Sequence, residues 1–460
     1  MTLSLDVIKL RSLLSKKKHE TGKVADILPF VATNGKDLNN DFGDLIGEYV
    51  RQICGHVVKK KPASKDQLEF EDPLISQLTG QIEFKNESQI DLERFLRQYL
   101  YSQNNNMKVF HPYIYNFIPV PEKDTYRKYA IFLSEILVQD EIEMKNIFTN
   151  KNADDILTEL VLKNLELKAI NNSDSRKYQL LLPFLSSLYK EDIMFISKYQ
   201  DYFLSNFTLL THFYSFMYIC QLLLKFERFE KGEYSEASTI YFALEWEAVS
   251  KRRKASEAEG FQGLKKKLPH LFVHVHTMSQ LSHIQSETAK ENPSFLTYRD
   301  IHDQIKEDQE MNYNYLNDLK IWIQDYSKLF LSDDEIISES PTNIESAMGI
   351  LFDSIKKGTN TEVAERYGKK LEGFGGKTFI KNRGSLGQVL NINQEMLLLL
   401  TTVCVKNERM PVNKLFEEFS KRGVNFDRLS KKAIIELFDS LNILDKKSDS
   451  GDAQYVKPIL

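Results

Sequence analysis

The stretch YFLSNFTLLTHFYSFMYICQLLL, Tyr202 to Leu224, carries no formal charge and is long enough to cross a bilayer, which takes about 20 apolar residues. Its reading decides the fold. A membrane span would place Ser205, Asn206, Thr208, Thr211, His212, Ser215 and Gln221 in lipid, each at a desolvation cost. Charged residues flank the stretch closely, Lys198 and Asp201 before it and Lys225 and Arg228 after it. A helix buried on nearly all sides inside a large helical domain fits these residues better. The expectation is therefore a core helix, with no membrane partner.

Composition agrees with that reading. The 460 residues are about three domains' worth at ~150 residues each. Hydrophobic residues at 42% and charged residues at 27% are ordinary for soluble chains, and 12 Pro with 19 Gly are few for this length, which favours long helices. The formal charge of −4 excludes a globally basic nucleic-acid binder, so any such contact must be local. Cys54, Cys220 and Cys404 lie far apart without a C-x-x-C pair, which argues against a disulfide framework or a cysteine zinc site and fits a reducing cytoplasm. The start, MTLSLDVIKLRSLLSKKKHETGK, lacks the continuous apolar core of a signal peptide.

Helical spacing recurs along the chain, in DFGDLIGEYVRQICGHVV (Asp41 to Val58), IDLERFLRQYLYSQ, DTYRKYAIFLSEILVQD and YQLLLPFLSSLY. The fold class expected is mainly α. Breaks fall at Lys59 to Gln67, around Asn105, at Ile170 to Arg176 and at Ser338 to Asn343. Thr342 and Glu345 have capping-box spacing ahead of IESAMGILFDSIKKG. KVFHPYIYNFIPVP, Lys108 to Pro121, reads as an extended excursion. These signals divide the chain into a multi-helical region, 1–337, with sub-boundaries near 62 and 172; a helical linker and Gly-rich loop, 338–387; and a C-terminal domain, 388–460.

Several motifs suggest chemistry and do not complete it. Gly375-Gly376-Lys377-Thr378 matches the end of a phosphate-binding loop, but Leu371 stands where the first glycine is needed. Upstream, EVAERYGKKLE has helical rather than strand spacing, and TFIKNRGSLGQVLNIN after it is too rich in Gly and Asn to be the required helix. The segment reads as a linker or docking loop. His270, His274, His276 and His283 fit no single secondary structure that gathers three of them as metal ligands. Cys54-Gly-His56 has no acidic third partner for nucleophilic catalysis. The runs Lys251, Arg252, Arg253, Lys254 and Lys265 to Lys267 read as solvated helix faces or phosphate contacts.

The tail is the most informative stretch. QEMLLLLTTVCV, MPVNKLFEEFSKRGV and SKKAIIELFDSLNIL read as three helices, and DKKSDSGDAQYVKPIL as a hairpin turning at Ser450-Gly451. Pro411 near the start and Gly423 past the end frame the second helix. Ser430 reads as the cap of the third, with Ile434, Leu437, Phe438 and Leu441 on its apolar stripe. This pattern is winged-helix-like, and agreement among its local signals predicts that it folds on its own. Acidic Glu436, Asp439, Asp445, Asp449 and Asp452 offset Lys431, Lys432, Lys446 and Lys447, so docking is expected as its main task, and any DNA contact is secondary and made to phosphates rather than bases.

The C-terminal run from RGSLGQVLNINQEMLLLLTTVC through LFEEFSKRGVNFDRLSKKAIIELFDSLNIL, with HETGKVADILPF, DFGDLIGEYVRQI and FALEWEAVSKRR upstream, resembles the DptG subunit of bacterial restriction systems that depend on DNA phosphorothioation. The resemblance implies a non-catalytic scaffold or DNA-contacting subunit working beside DptF-like and DptH-like partners against DNA lacking the sulfur mark. It implies no catalytic residue, metal or cofactor. The DNA- or partner-contacting candidates are Lys251, Arg252, Arg253, Lys254, Lys377, Lys381, Arg383, Arg428, Lys431, Lys432, Lys446 and Lys447. The alternative is a free-standing metal-dependent nuclease or other DNA-processing enzyme using scattered carboxylates.

Overall fold

The stretch around Tyr202 to Leu224 forms one helix, Gln200–Phe226, in the computed structural model. By length and composition it could cross a membrane, yet 83% of its most apolar window is buried within the protein. Its polar residues explain how it tolerates this. Asn206 and Thr211 donate to carbonyls one turn back, Tyr202 O at 2.9 Å and Phe207 O at 2.8 Å. Gln221 exchanges two hydrogen bonds with the backbone of Ser238, and the Lys225 ammonium donates to Glu236 O and Ser238 Oγ. Each buried polar group thus replaces its lost water with a protein partner. Burial nonetheless disfavours the Lys225 cation and pulls its pKa down to about 8.

The structure describes residues 4–15, 24–32, 42–57, 73–80, 88–102, 107–119, 124–138, 141–169, 176–285, 294–446 and 454–460. Among them are eighteen α-helices and a few short strands, so the fold is mainly α. The breaks at Lys59 to Gln67 and around Asn105, and the turn at Ser450-Gly451, lie outside the described residues, as does most of Ile170 to Arg176. The chain divides into two compact units. One comprises Met1–Asn40, Lys177–Leu188 and Phe213–Leu460; the other comprises Asp41–Arg176 and Tyr189–His212.

In the second unit, the helix Gly43–Cys54 packs on Asp124–Leu137 and on the 3-10 helix Pro112–Phe117. That 3-10 helix replaces the extended excursion expected over Lys108 to Pro121. His111 accepts from Tyr113 N at 3.2 Å and Pro112 pre-sets the first turn, so local capping wins over the β-branched and aromatic composition. Arg51 is buried and donates to Asn116 O and Ile118 O, both at 2.9 Å, while pairing with Glu48. Tyr115, Phe148, Phe203 and Phe207 form an aromatic cluster with centroids 5.0–6.5 Å apart.

In the first unit, the Gly-rich segment is ordered structure and not a linker. The helix Thr361–Phe379 runs through it, kinked at Gly376, and an antiparallel pair, Ile380–Asn382 with Gln388–Ile392, follows. Gly375 lies against the Phe216 ring so closely that a Cβ would overlap it. Close packing, rather than loop flexibility, accounts for that glycine. The preceding helix start also differs from expectation: Ile344–Gly358 is capped one residue later, by Asn343 with Ser346. The segment Ile240–Leu244 adds two parallel pairings, Ile240–Tyr241 to Val424–Asn425 and Ala243–Leu244 to Asn391–Ile392. Residues 388–460 are therefore joined to the rest of the unit by backbone hydrogen bonds.

Candidate nucleic-acid and partner-docking surface

The C-terminal stretch supplies the helices Gln394–Val405, Val412–Lys421 and Arg428–Ser440. A three-stranded antiparallel sheet accompanies them, in the order Met410–Pro411, Gln454–Val456, Leu444–Lys446. Asn393 caps the first helix. Gly423, at φ 82°, ends the second, and a Cβ there would come within 2.6 Å of Met217 Cε. The third helix is capped by Asp427 rather than Ser430: its carboxylate accepts from Leu429 N at 3.0 Å and Ser430 N at 3.1 Å. Ser430, Ile434 and Phe438 form the buried stripe, while Leu441 is exposed.

Asp427 has a second partner. Arg253 donates to it from Nε at 2.6 Å and Nη2 at 2.8 Å, and donates to Glu247 at 2.7 Å, Ser430 Oγ at 2.8 Å and Ala248 O at 3.1 Å. Ser430 Oγ in turn donates to Glu247 at 2.8 Å. Burial works against the ionised form of Asp427, but the guanidinium and the capping N–H groups outweigh it and hold the carboxyl below its usual range. Arg253 is only 8% exposed. It is a buried junction between the segment 244–253 and the third helix, which removes it from the solvated face on which the basic run was expected to lie.

The remaining candidates sort around this junction. Lys251 and Arg252, next to Arg253 in sequence, are exposed, and so are Arg428, Lys431 and Lys432, which follow Asp427. Lys431 lies 4.9 Å from the centre of the Phe416 ring, and Lys432 pairs with Glu436 at 3.7 Å. Lys254 pairs with Glu259 at 2.7 Å. Lys381 pairs with Glu245 at 3.4 Å, and Arg383 donates to Leu244 O, Glu245 O and Asn391 Oδ1. Arg383 is thus another internal tie, not a free phosphate contact. Lys377 is exposed at the helix kink. Lys446 lies on the strand paired with Gln454, and Lys447 falls outside the described residues.

Family models and curated proteins were compared with the chain, and none matches it.

Sequence reasoning missed Glu247 and Asp427, while Trp246, an aromatic neighbour of the basic run, is 44% accessible between Glu245 and Glu247. Asp427 carried a detectable signal, since Asp is as good a cap as Ser and precedes the helix directly. The histidines form a different arrangement. Lys356 donates to His270 Nε2 at 3.0 Å, because an ammonium only donates, which leaves Nδ1–H of His270 to donate to Glu227 at 2.7 Å. His274 donates from Nε2 to Glu227 at 3.2 Å and accepts from Tyr298 at Nδ1. Both nitrogens of both rings are engaged with protein. Among the described residues no group of three or more His, Cys, Asp or Glu is placed to hold a metal ion.

Proposed function

We propose that this chain is a non-catalytic, DNA-contacting and partner-docking subunit of a cytoplasmic, phosphorothioation-dependent restriction complex, acting beside DptF-like and DptH-like subunits on DNA that lacks the sulfur mark. The resemblance to DptG supplies the system. The observation that supports DNA contact is that Lys251, Arg252, Arg428, Lys431 and Lys432 flank the Arg253–Asp427 junction, so two basic runs far apart in sequence meet at the start of one exposed helix. In this reading the three helices and the sheet are a winged-helix module whose third helix and hairpin approach the duplex. Glu436 and Asp439 on the same helix oppose a strong positive field. Contact is then to phosphates, indifferent to base sequence and steeply weakened by salt, as expected for a handful of neutralised charges.

The test is retention of unmodified duplex by the assembled complex, purified through a tag on this chain, with co-purifying subunits identified. Changing Lys251, Arg252, Lys431 and Lys432 together to Glu lowers duplex retention at least tenfold and leaves the melting temperature of this chain within a few degrees. Tight binding to one base sequence that survives high salt would show base reading instead. Cleavage of plasmid by the isolated chain with Mg²⁺ or Mn²⁺ would show an enzyme.

A further inference from the structure

The turn between the first two helices of the C-terminal stretch borders an open cleft of about 380 Å³, lined by residues 404 to 411 and Lys414. Its shape follows from the backbone. Lys406 takes a left-handed φ of 56° immediately after the helix Gln394–Val405, so the chain reverses sharply before entering the strand Met410–Pro411. Three cationic side chains line the cleft, Lys406, Arg409 and Lys414, against one acid, Glu408. Arg409 is held in place by the Tyr455 ring, 5.6 Å from its centre, and by Asp445 at 3.9 Å. Lys414 is exposed in the first turn of the helix Val412–Lys421, whose cap position is Pro411, without a side-chain acceptor for the N–H groups that follow.

Ammonium and guanidinium groups only donate hydrogen bonds, so a ligand drawn to this cluster of cations is an anion with several acceptor oxygens. We propose that the cleft lined by Lys406, Arg409 and Lys414 binds a phosphate group of a nucleic-acid backbone. This deepens the reading above, on which it rests: it places a phosphate contact at the turn before the second helix, apart from the lysines flanking Arg253.

The experiment uses the full chain and two probes, a labelled mixed-sequence DNA duplex titrated across a salt series, and inorganic phosphate compared with chloride at matched ionic strength in thermal unfolding. The proteins are the wild type, a cleft variant with Lys406→Gln, Arg409→Gln and Lys414→Gln, and a control variant with Lys431→Gln and Lys432→Gln. Each is checked for an unchanged far-ultraviolet spectrum. The expected result is that the cleft variant binds duplex at least tenfold more weakly, with a salt slope shallower by about 0.9 for each phosphate no longer neutralised. Duplex affinity and slope equal to wild type in the cleft variant would overturn the inference, even where the control variant weakens binding and so upholds the function proposed above. Should the wild type bind no duplex, stabilisation by inorganic phosphate in the wild type but not in the cleft variant would uphold the phosphate site while the DNA reading fails. No response to either probe would overturn both.

Discussion

Arg253 shows how much one buried guanidinium fixes. Asp427 and Glu247 both pair with it, so removing the arginine leaves two largely buried carboxyl groups without their shared cation. Arg253→Ala is expected to cost about 3 kcal/mol, in line with the breaking of buried pairs, whereas exposed Lys251→Ala costs under about 0.5 kcal/mol. Denaturant unfolding of the two variants checks this directly. Nothing local marks Arg253 as different from Lys251 or Lys254, since its partner lies 174 residues away. The basic run was legible as a run, but its division into buried and solvated members was not.

A second residue-level consequence concerns acid. Burial opposes the Glu227 carboxylate, but hydrogen bonds from His270 and His274 prevail and bring its pKa to about 2. The unfolded chain takes up that proton at higher pH, so this contribution is complete above about pH 4.5 and disappears as pH falls toward 2. His274 acts in the same direction. Desolvation outweighs the pull of Glu227, while His270 and Lys356 add to it, so the ring resists protonation in the fold and stability declines as pH drops below about 6.5. Glu227→Gln should lose on the order of 2–3 kcal/mol at pH 7 and give a flatter acid limb below pH 4.5. Melting temperatures measured from pH 7.5 to 3 decide it; an unchanged acid limb would contradict the assigned hydrogen bonds.

At the scale of elements, glycine spacing misleads and packing explains why. LEGFGGKTF looks like a loop by composition, yet it completes a helix because Gly375 admits the Phe216 ring. Gly373, two residues earlier, meets nothing within 4 Å of an added Cβ. The two positions should respond oppositely to alanine. Gly373→Ala is expected to stabilise by about 0.5–1 kcal/mol through lower backbone entropy in the unfolded chain, while Gly375→Ala destabilises. Thermal unfolding of the pair tests the assignment. Long amphipathic or fully apolar helices were readable because their period repeats over many residues, as in Tyr202 to Leu224 and Ile344 to Gly358. Two-residue strands such as Ile240–Tyr241 were not, since a pairing 184 residues distant leaves no local period.

At the scale of the whole molecule, residues 388–460 carry the local signals of a self-sufficient module but share their edges with Ile240–Leu244 and their third-helix cap with Arg253. A fragment of residues 388–460 alone should therefore lack a sharp cooperative melt, and a fragment beginning before Ile240 should regain it; calorimetry of the two would show whether the earlier segment is needed. The N-terminal contacts have a consequence of another kind. Ser4 and Leu5 bond to Asp318, and Arg11 to Asp325, some 314 residues further along. At about 5–20 residues per second, ribosomal synthesis leaves this first segment without its partner helix for roughly 15–60 s. Over that interval Leu10 and Leu14, fully buried in the finished fold, are open to a chaperone or to aggregation, so the yield of native protein depends on elongation speed as well as on sequence.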